Sequence, residues 1–236
     1  MDGLDVETSL KILVVGNGMV GKSSLISKFV HGHVTGRYKK TIGVEFAEKE
    51  IRLPSGEDIT LMIWDTAGQD MFSSLTKSYY GGAAAVAYVF STTDRESFLA
   101  IENWRTRVLT ALGCNAMNEP LSVLVQTKVD LLTEAQVTFA EADALAARLR
   151  MPLFRVATTN ESPSSDVFPY IAARYVKALR DGDLPAQPSG ASASGPSTTS
   201  GVAALTTFAK PNIMSTVDTE PTSSLHQFAF PPSTVS

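Results

Sequence analysis

The 236-residue sequence predicts an α/β fold in which a six-stranded, mainly parallel sheet carries helices on both faces. Apolar runs of strand length alternate with segments of helical character, a turn signal joins the second and third runs as a hairpin, and a glycine-rich loop connects the first run to the first helix. The alternation is that of βαβ units, whereas the hairpin predicts one antiparallel strand at an edge of the sheet. Ligands of such sheets bind at the carboxyl ends of the strands.

The strands are predicted from apolar, partly β-branched runs of strand length. In chain order these runs cover residues 11–15, 44–53, 59–65, 83–90, 121–126 and 153–157. Pro54-Ser55-Gly56 separates the second run from the third, and this composition is typical of a tight turn. We therefore expect the second and third strands to form a hairpin.

The helices are predicted from segments that lie between these runs. In chain order they cover residues 24–30, 94–112, 134–149 and 164–179. Apolar residues recur at helical spacing in the first segment, Thr93-Asp94 is a capping signal for the second, and alanine is frequent in the third. No apolar run of the sequence approaches the length of a membrane span, since the longest, 83–90, has strand length.

Composition and charge suit one domain of ordinary size with an additional segment. The chain is 44% hydrophobic and 19% charged, and its formal net charge of -4 argues against nucleic acid as a partner. The single cysteine, Cys114, cannot form an internal disulfide, which fits a reducing compartment. The first residues are acidic and lack the apolar core of a secretory signal. We expect a soluble, cytoplasmic monomer.

The composition changes along the chain and predicts three segments. Residues 1–9 are expected to form a flexible N-terminus, and residues 10–180 the folded domain. Residues 181–236 are rich in Ser, Thr, Pro, Ala and Gly, and their low apolar content predicts a disordered tail. The tail contains two short apolar islands, 202–208 and 225–230. The islands either form a docking motif for a partner or are scattered residues of a flexible tail.

The segment from Gly16 to Ser23 fits the phosphate-binding pattern GxxxxGK[ST], and it lies between the first strand and the first helix. Glycines let successive backbone N–H groups point at phosphate oxygens, and the helix N-terminus adds unpaired donors. Lys22 is expected to contact the β- and γ-phosphates and assist catalysis, and Ser23 to ligate Mg²⁺. The predicted phosphate-binding residues are Gly16, Asn17, Gly18, Met19, Val20, Gly21, Lys22, Ser23 and Ser24.

A second motif, Trp64-Asp65-Thr66-Ala67-Gly68-Gln69, stands at the end of the third predicted strand. Downstream of a phosphate loop, an acidic residue such as Asp65 can hold Mg²⁺, usually through water. Gly68 can place its N–H on the γ-phosphate, and Gln69 can orient the attacking water as a catalytic residue. Thr41, in the intervening loop, can complete the Mg²⁺ shell only when γ-phosphate is present. The loop is therefore predicted to be a switch that is released after hydrolysis.

Over about residues 10–180 the chain resembles the Ras-like small GTPases, and among them the Rab family. The resemblance is carried by Thr41-Ile-Gly-Val-x-Phe46, by the Trp64–Gln69 motif and by Tyr79-Tyr80. The segment 90–98, together with GNGMVGKSS and YKKTIGV, is similar to the Rab subfamily numbered twenty-three, which is linked to cilia and Hedgehog signalling.

The resemblance implies the G-domain form of the P-loop NTPase fold, binding of GTP and GDP with Mg²⁺, and GTP hydrolysis. It also implies a switch in vesicle-mediated transport or intracellular signalling that recruits effectors, with an exchange factor and a GTPase-activating protein as further partners. By the same resemblance Phe46, Trp64 and Tyr79 form an aromatic effector surface. Partial burial of these rings at the sheet edge is the alternative explanation, and the two are compatible.

The departures from the family pattern fall on the guanine-base pocket. Where Rab proteins carry Asn-Lys-x-Asp, this chain has Thr127-Lys128-Val129-Asp130. By the resemblance, Asp130 accepts from the N1 and N2 hydrogens of guanine, and Lys128 packs over the base and sugar. The missing asparagine would have contacted the base edge and tied the loops together, and the hydroxyl of Thr127 could recover part of this.

Two further departures concern the same pocket. The family's Ser-Ala-Lys loop corresponds to Ala157-Thr158-Thr159, which keeps the backbone N–H but lacks the serine hydroxyl. The aromatic residue that stacks on guanine lies seven residues before the switch threonine, and this position is Val34, with His33 as a candidate substitute. We therefore expect weakened guanine-nucleotide binding with intact phosphate and Mg²⁺ residues.

Two functions of different class remain open: a GTP-hydrolysing switch, or a non-hydrolysing scaffold of Rab fold with weak nucleotide binding. The sequence ends in Pro-Pro-Ser-Thr-Val-Ser236, without the C-terminal cysteines that Rab proteins use for prenylation. We therefore expect no direct membrane anchor. Any vesicular or ciliary association is then expected to depend on a partner.

Overall fold

A computed structural model of the chain describes residues 8–34, 41, 43–68, 79–157, 159 and 166–182. The strands are β1 (Thr8–Val15), β2 (Val44–Arg52), β3 (Asp58–Thr66), β4 (Ala85–Ser91), β5 (Leu121–Thr127) and β6 (Leu153–Val156). The helices are α1 (Lys22–His31), α2 (Arg95–Leu99), α3 (Ile101–Leu112), α4 (Phe139–Leu149) and α5 (Val167–Asp181), and a 3₁₀ turn covers Leu132–Glu134. Each predicted strand and helix has a counterpart here. Residues 8 and 9, which were predicted to belong to a flexible N-terminus, are part of β1, and Asp181, the first residue of the predicted tail, is part of α5. The tail from residue 183 onward lies outside the described residues.

Within the described residues the sheet has six strands in the order β2-β3-β1-β4-β5-β6. β2 pairs antiparallel with β3, and every other neighbouring pair is parallel, which confirms the predicted mainly parallel sheet with one antiparallel edge strand. The predicted hairpin turn closes with two bonds, from the amide of Leu53 to Glu57 O at 2.8 Å and from the amide of Gly56 to Leu53 O at 2.9 Å. The loops that follow the parallel strands leave the sheet at the same edge, where ligands bind in such folds.

Helices cover both faces of the sheet. The apolar sides of α1 and α5 pack against one face, and those of α3 and α4 pack against the other. Phe29 of α1 and Phe168 of α5 meet with ring centroids 4.7 Å apart. Full burial of one large apolar side chain contributes about 1.5–3 kcal/mol to stability. The two apolar layers, one on each face, therefore stabilise the sheet and the loops that follow its strands. None of the helices in the described ranges is long and apolar enough to cross a membrane.

The predicted helix 94–112 forms as two helices, α2 and α3, which are interrupted at Ala100. Ala100 keeps helical angles, with φ of -75° and ψ of -12°, so the interruption is confined to one residue. In α2 the buried Ser97 hydroxyl donates to Asp94 O at 2.6 Å and accepts from the amide of Ser91 at 3.0 Å. This side-chain bonding competes with the regular helical pattern and ties the first turn to β4.

The third predicted helix begins later than residue 134. The amides of Gln136 and Val137 donate to Thr92 O, at 2.9 Å and 3.1 Å, so this stretch is bound to the loop after β4 and cannot join the helix. α4 starts after Thr138, whose side chain and backbone form a capping box. The alanine-rich composition indicated the helix, but not this tertiary contact.

Candidate nucleotide-binding site

The loop between β1 and α1 has a backbone that packs tightly against β4. Gly16 has a φ of 148°, and a Cβ atom on it would lie 2.1 Å from Val89 O, so only glycine fits there. Met19 also has a left-handed φ, 62°, and its side chain is 68% exposed. The order of strand, glycine loop and helix that the sequence predicted is therefore present.

Lys22, the first residue of α1, extends its side chain back into this loop. Its Nζ donates to the carbonyl oxygens of Gly16 at 2.9 Å and Asn17 at 2.7 Å, and the residue is only 5% exposed. Burial lowers the pKa of Lys22 from its ordinary value of 10.5 to about 8, while the charge of Asp65 opposes this shift. An anion in the loop would favour the charged ammonium, so Lys22 could pair with a phosphate bound there.

Ser23, Thr41 and Asp65 come together from α1, from the segment before β2 and from the end of β3. The Ser23 hydroxyl donates to Asp65 Oδ2, the Ser23 and Thr41 hydroxyl oxygens are 2.9 Å apart, and Thr41 Oγ1 donates to Asp65 Oδ2 at 3.3 Å. Asp65 is 4% exposed, and burial raises the pKa of its carboxyl against the opposing effects of Ser23, Lys22 and Thr41.

This oxygen cluster fits a hard divalent cation. Asp65 Oδ1 is buried and has no hydrogen-bond partner among the described residues, although buried polar atoms are nearly always satisfied. Two hydroxyl oxygens and a carboxylate form an all-oxygen donor set, which Mg²⁺ prefers in combination with phosphate oxygens. A cation would also favour the ionised carboxylate that burial disfavours. The three predicted metal residues can therefore hold Mg²⁺ together.

Gly68 brings the segment after β3 against the phosphate loop. A Cβ atom on Gly68 would lie 2.1 Å from Gly18 N and 2.3 Å from Asn17 C, so no side chain fits at this position. The backbone of Gly68 thus lies directly beside the loop, within reach of a phosphate held there. Gln69, the predicted water-orienting residue, lies outside the described residues.

The base end of the predicted site is formed by the loops after β5 and β6. Thr127 pairs in register with Val156, so Lys128 and Ala157 leave neighbouring strands at the same edge of the sheet. Lys128 has a left-handed φ of 55° at the start of the turn that carries the exposed Asp130. The structure thus places Lys128, Asp130 and Ala157 at one edge of the sheet.

His33 and Val34, the two other predicted base-pocket positions, follow the end of α1. The His33 ring centroid lies 6.1 Å from that of His31, and His33 Nδ1 lies 3.1 Å from His31 O. Ser27 Oγ donates to His33 O at 2.9 Å, and Val34 follows as a half-buried residue. Among the described residues, the contacts of the His33 ring are local to α1, which gives no support to His33 as a stacking substitute. Thr158 lies outside the described residues.

The chain is similar to a known family over most of its length. A family model described as the Ras family matches residues 11–177. The chain is 34% identical over 174 residues to the Ras-related protein rab-39 of Caenorhabditis elegans, a match that covers 74% of this chain and 76% of that protein. It is 35% identical to the Ras-related protein Rab-4A of Bos taurus and 34% to that of Homo sapiens, with 74% of this chain and 78% of each relative covered. The chain belongs to the Ras family of small GTPases.

The similarity to Rab proteins defines the type of Ras-family member. The sheet order and the surrounding helices form a Ras-like G domain, which confirms the predicted fold. Small GTPases of the Rab type are GTP-binding switches that generally use Mg²⁺ and interact with effectors, exchange factors and GTPase-activating proteins.

In this Rab-like GTPase, Phe46, Trp64 and Tyr79 form a contiguous aromatic group. The ring centroids of Phe46 and Trp64 are 5.5 Å apart, and those of Trp64 and Tyr79 are 5.9 Å apart. Lys11 Nζ lies 4.1 Å from the Trp64 ring centroid and donates to Gly81 O at 2.8 Å. All three aromatic residues are half-buried, because the rings pack on one another while part of their surface stays exposed to solvent. Partial burial and an exposed aromatic face are therefore both present.

Trp104 contacts the phosphate loop, and no pattern in the sequence indicates this contact. Its indole Nε1 donates to Asn17 Oδ1 at 2.8 Å across 87 residues of chain, and Trp104 is only 4% exposed. A tryptophan on the apolar side of a helix is expected in a core, and only its N–H signals that a polar partner is required. The partner itself could not be identified without the fold.

Proposed function

We propose that this chain is a Rab-like switch that binds GTP and GDP with Mg²⁺ and hydrolyses GTP. The observation that carries the proposal is the convergence of Ser23, Thr41 and Asp65, with Asp65 Oδ1 lacking a hydrogen-bond partner among the described residues. Lys22 lies beside them, and family membership supports guanine as the base. Residues 10–180 are proposed as the domain that carries this function.

The proposed mechanism relies on positioning and on charge stabilisation, because phosphoryl transfer needs little covalent chemistry from the protein. Lys22 exchanges its carbonyl partners for β- and γ-phosphate oxygens, and Gly68 donates its N–H to the γ-phosphate. Ser23 and Thr41 would offer hydroxyl oxygens to Mg²⁺, and the carboxylate of Asp65 would hold the ion beside them. Bound Mg²⁺ would neutralise charge on the phosphates.

The switch depends on contacts that require the γ-phosphate. Gln69 is proposed to orient the attacking water, and the intrinsic rate is expected to be low until a partner supplies an arginine. Thr41 is proposed to remain at the metal site only while a γ-phosphate is bound. Its release after hydrolysis changes the surface beside Phe46 and Trp64, where effectors are proposed to bind.

Single-turnover release of phosphate from GTP with Mg²⁺ tests the enzymatic proposal. Gln69→Leu removes the water-orienting amide and should slow hydrolysis by at least about tenfold, while GTP affinity stays within about twofold. Gln136→Leu, at an exposed glutamine in the loop before α4, serves as the matched control and should behave as wild type. Equal rates for wild type and Gln69→Leu, with activating partners also tested, would show that hydrolysis is not the function.

A non-hydrolysing scaffold of Rab fold is the second candidate function. The departures at Val34, Thr127 and Ala157 favour it, because they remove a base-stacking ring and two base-pocket side chains of the family pattern. Denaturing the purified protein and separating the released nucleotides by chromatography distinguishes the two functions. Stoichiometric guanine nucleotide supports the switch, whereas folded, nucleotide-free protein that still binds its partners supports the scaffold.

The resemblance to the Rab subfamily numbered twenty-three supports a place in vesicle-mediated transport or cilium-related signalling. We propose that effectors dock on Phe46, Trp64 and Tyr79, since these rings are contiguous and half-exposed. Phe46→Ala should abolish capture of proteins that bind the GTP form and not the GDP form, with nucleotide binding retained. Phe139→Ala, at an exposed ring on α4, is the control. Unchanged capture by Phe46→Ala would remove this surface from the proposal.

A further inference from the structure

Thr127 occupies an unusual position between the phosphate loop and the end of β4. The residue is fully buried, with 0% exposure. Its hydroxyl oxygen lies 2.5 Å from Val20 O in the phosphate loop and 3.0 Å from Phe90 O in β4. Val20 is 107 residues away along the chain, so this contact joins the end of β5 to a loop that is distant in sequence.

The backbone of Thr127 is engaged as well. Its carbonyl oxygen accepts from the amide of Thr92 at 3.0 Å and from Thr92 Oγ1 at 2.8 Å. The carbonyl of Thr92 in turn accepts from the amides of Gln136 and Val137. Thr127 is thus fixed from both sides, and its hydroxyl cannot move toward a ligand without breaking buried hydrogen bonds.

The number of donors on a hydroxyl decides what Thr127 can contact. A threonine hydroxyl has one proton, and both of its partners here are carbonyl oxygens that only accept. The outer edge of guanine offers two acceptors, N7 and O6. Because the Thr127 hydroxyl donates its single proton to the carbonyl of Val20 or Phe90, it cannot also donate to N7 or O6 of guanine.

We propose that Thr127 positions the phosphate loop through its hydroxyl and leaves the N7 edge of guanine without a side-chain contact. The loop connection expected to be lost with the family's asparagine is then retained, and only the base contact is lost. Discrimination of the base depends on Asp130. The inference rests on the proposed function, because it concerns how the same site recognises its guanine nucleotide.

Dissociation constants for GDP and 7-deaza-GDP, in which a C–H group replaces N7, test this assignment. Wild type should bind the two nucleotides within about twofold. Thr127→Asn adds an amide donor and should favour GDP over 7-deaza-GDP by about fivefold. Thr127→Val removes the hydroxyl and should weaken the binding of both nucleotides equally, by about 2- to 10-fold. Thr127→Ser keeps the hydroxyl and should keep wild-type affinity.

Ser122→Ala is the matched control, because it removes a half-buried hydroxyl of the same strand that bonds to Glu119 and Pro120, away from the phosphate loop. It should leave both affinities within about twofold. A wild type that prefers GDP by more than about fivefold would overturn this inference, and only this one, if Thr127→Val removes the preference and Thr127→Ser keeps it. Unchanged affinity of a folded Thr127→Val protein would do the same. A wild type that binds neither nucleotide would overturn the proposed function and this inference together.

Discussion

The phosphate end and the base end of the site are built from different kinds of groups. The phosphate end contains a cation, a hydroxyl and a carboxylate, which come from the two elements α1 and β3. The Ser23 hydroxyl donates a hydrogen bond to Asp65, and the charges of Asp65 and Lys22 affect each other. At the base end, the hydroxyl of Thr127 is bound to protein carbonyls, and Asp130 stands in an exposed turn.

This difference indicates how binding free energy is distributed. Charge-assisted hydrogen bonds contribute about 1.5–3 kcal/mol each, against about 0.5–1.5 kcal/mol for neutral ones. The phosphate end therefore carries most of the proposed affinity, and the base end supplies selectivity with few side-chain contacts. GDP and GTP should be affected together by any change at the base end.

The largest effect is expected from Lys22→Ala at the phosphate end. Loss of the ammonium removes charge-assisted bonds to phosphate, so GDP affinity should fall by at least about 100-fold. Titration calorimetry with Mg²⁺ measures the loss, and Lys177→Ala, at an exposed lysine of α5, is the control. If Lys22→Ala lowers GDP affinity no more than the base-end substitutions do, the phosphate end does not carry most of the affinity.

Asp65→Asn should have the next largest effect, and only in the presence of Mg²⁺. The neutral amide loses the charge that attracts the cation, so the slowing of GDP release by Mg²⁺ should shrink by about 10- to 100-fold. Release rates in Mg²⁺ and in EDTA give the ratio. Asp58→Asn, at an exposed carboxylate of the same strand, should leave it unchanged. A full Mg²⁺ effect in Asp65→Asn would exclude the proposed metal site.

Val34→Phe should strengthen the base end. An aromatic ring that stacks on a base contributes about 1–3 kcal/mol, so release of GDP and of GTP should each slow by about tenfold. Val34→Leu adds volume without an aromatic face and controls for packing. If Val34→Phe slows the release of only one of the two nucleotides, the base contacts do not act independently of the phosphate contacts.

The smallest effect is expected from Trp104→Phe. The ring is kept, but the donor to Asn17 Oδ1 is lost, and GDP release should accelerate by about threefold. A double-mutant cycle with Asn17→Ala measures the coupling between the two residues. Additive effects would mean that the hydrogen bond does not stabilise the phosphate loop.

The features predicted correctly from the sequence are those encoded by neighbouring residues. The glycine loop between β1 and α1, the hairpin turn and the strand runs are local patterns, and the loop order places Thr41 and Asp65 near Ser23. Trp104 and Asn17 are 87 residues apart, so their hydrogen bond depends on how α3 packs on the sheet. No local pattern encodes such a contact.

The start of α4 and the role of Thr127 illustrate the same limit. The amide of Gln136 is bound to Thr92 O, which delays the helix, although the local composition favours helix. The replacement at Thr127 was visible in the sequence, but its bond to Val20 depends on tertiary packing. The roles of Gln69, Thr158 and the tail remain predictions.

The antiparallel pairing of β2 and β3 has a consequence for signalling. Val44 pairs with Thr66, and the amide of Ala67 donates to Gly43 O at 2.9 Å, so the chain enters one strand beside the point where it leaves the other. Thr41 precedes this pair by three residues and Gly68 follows it by two. In the proposed switch, the two segments would therefore change state together. A protein that binds across both would detect the same nucleotide state twice, and this redundancy would lower its error rate.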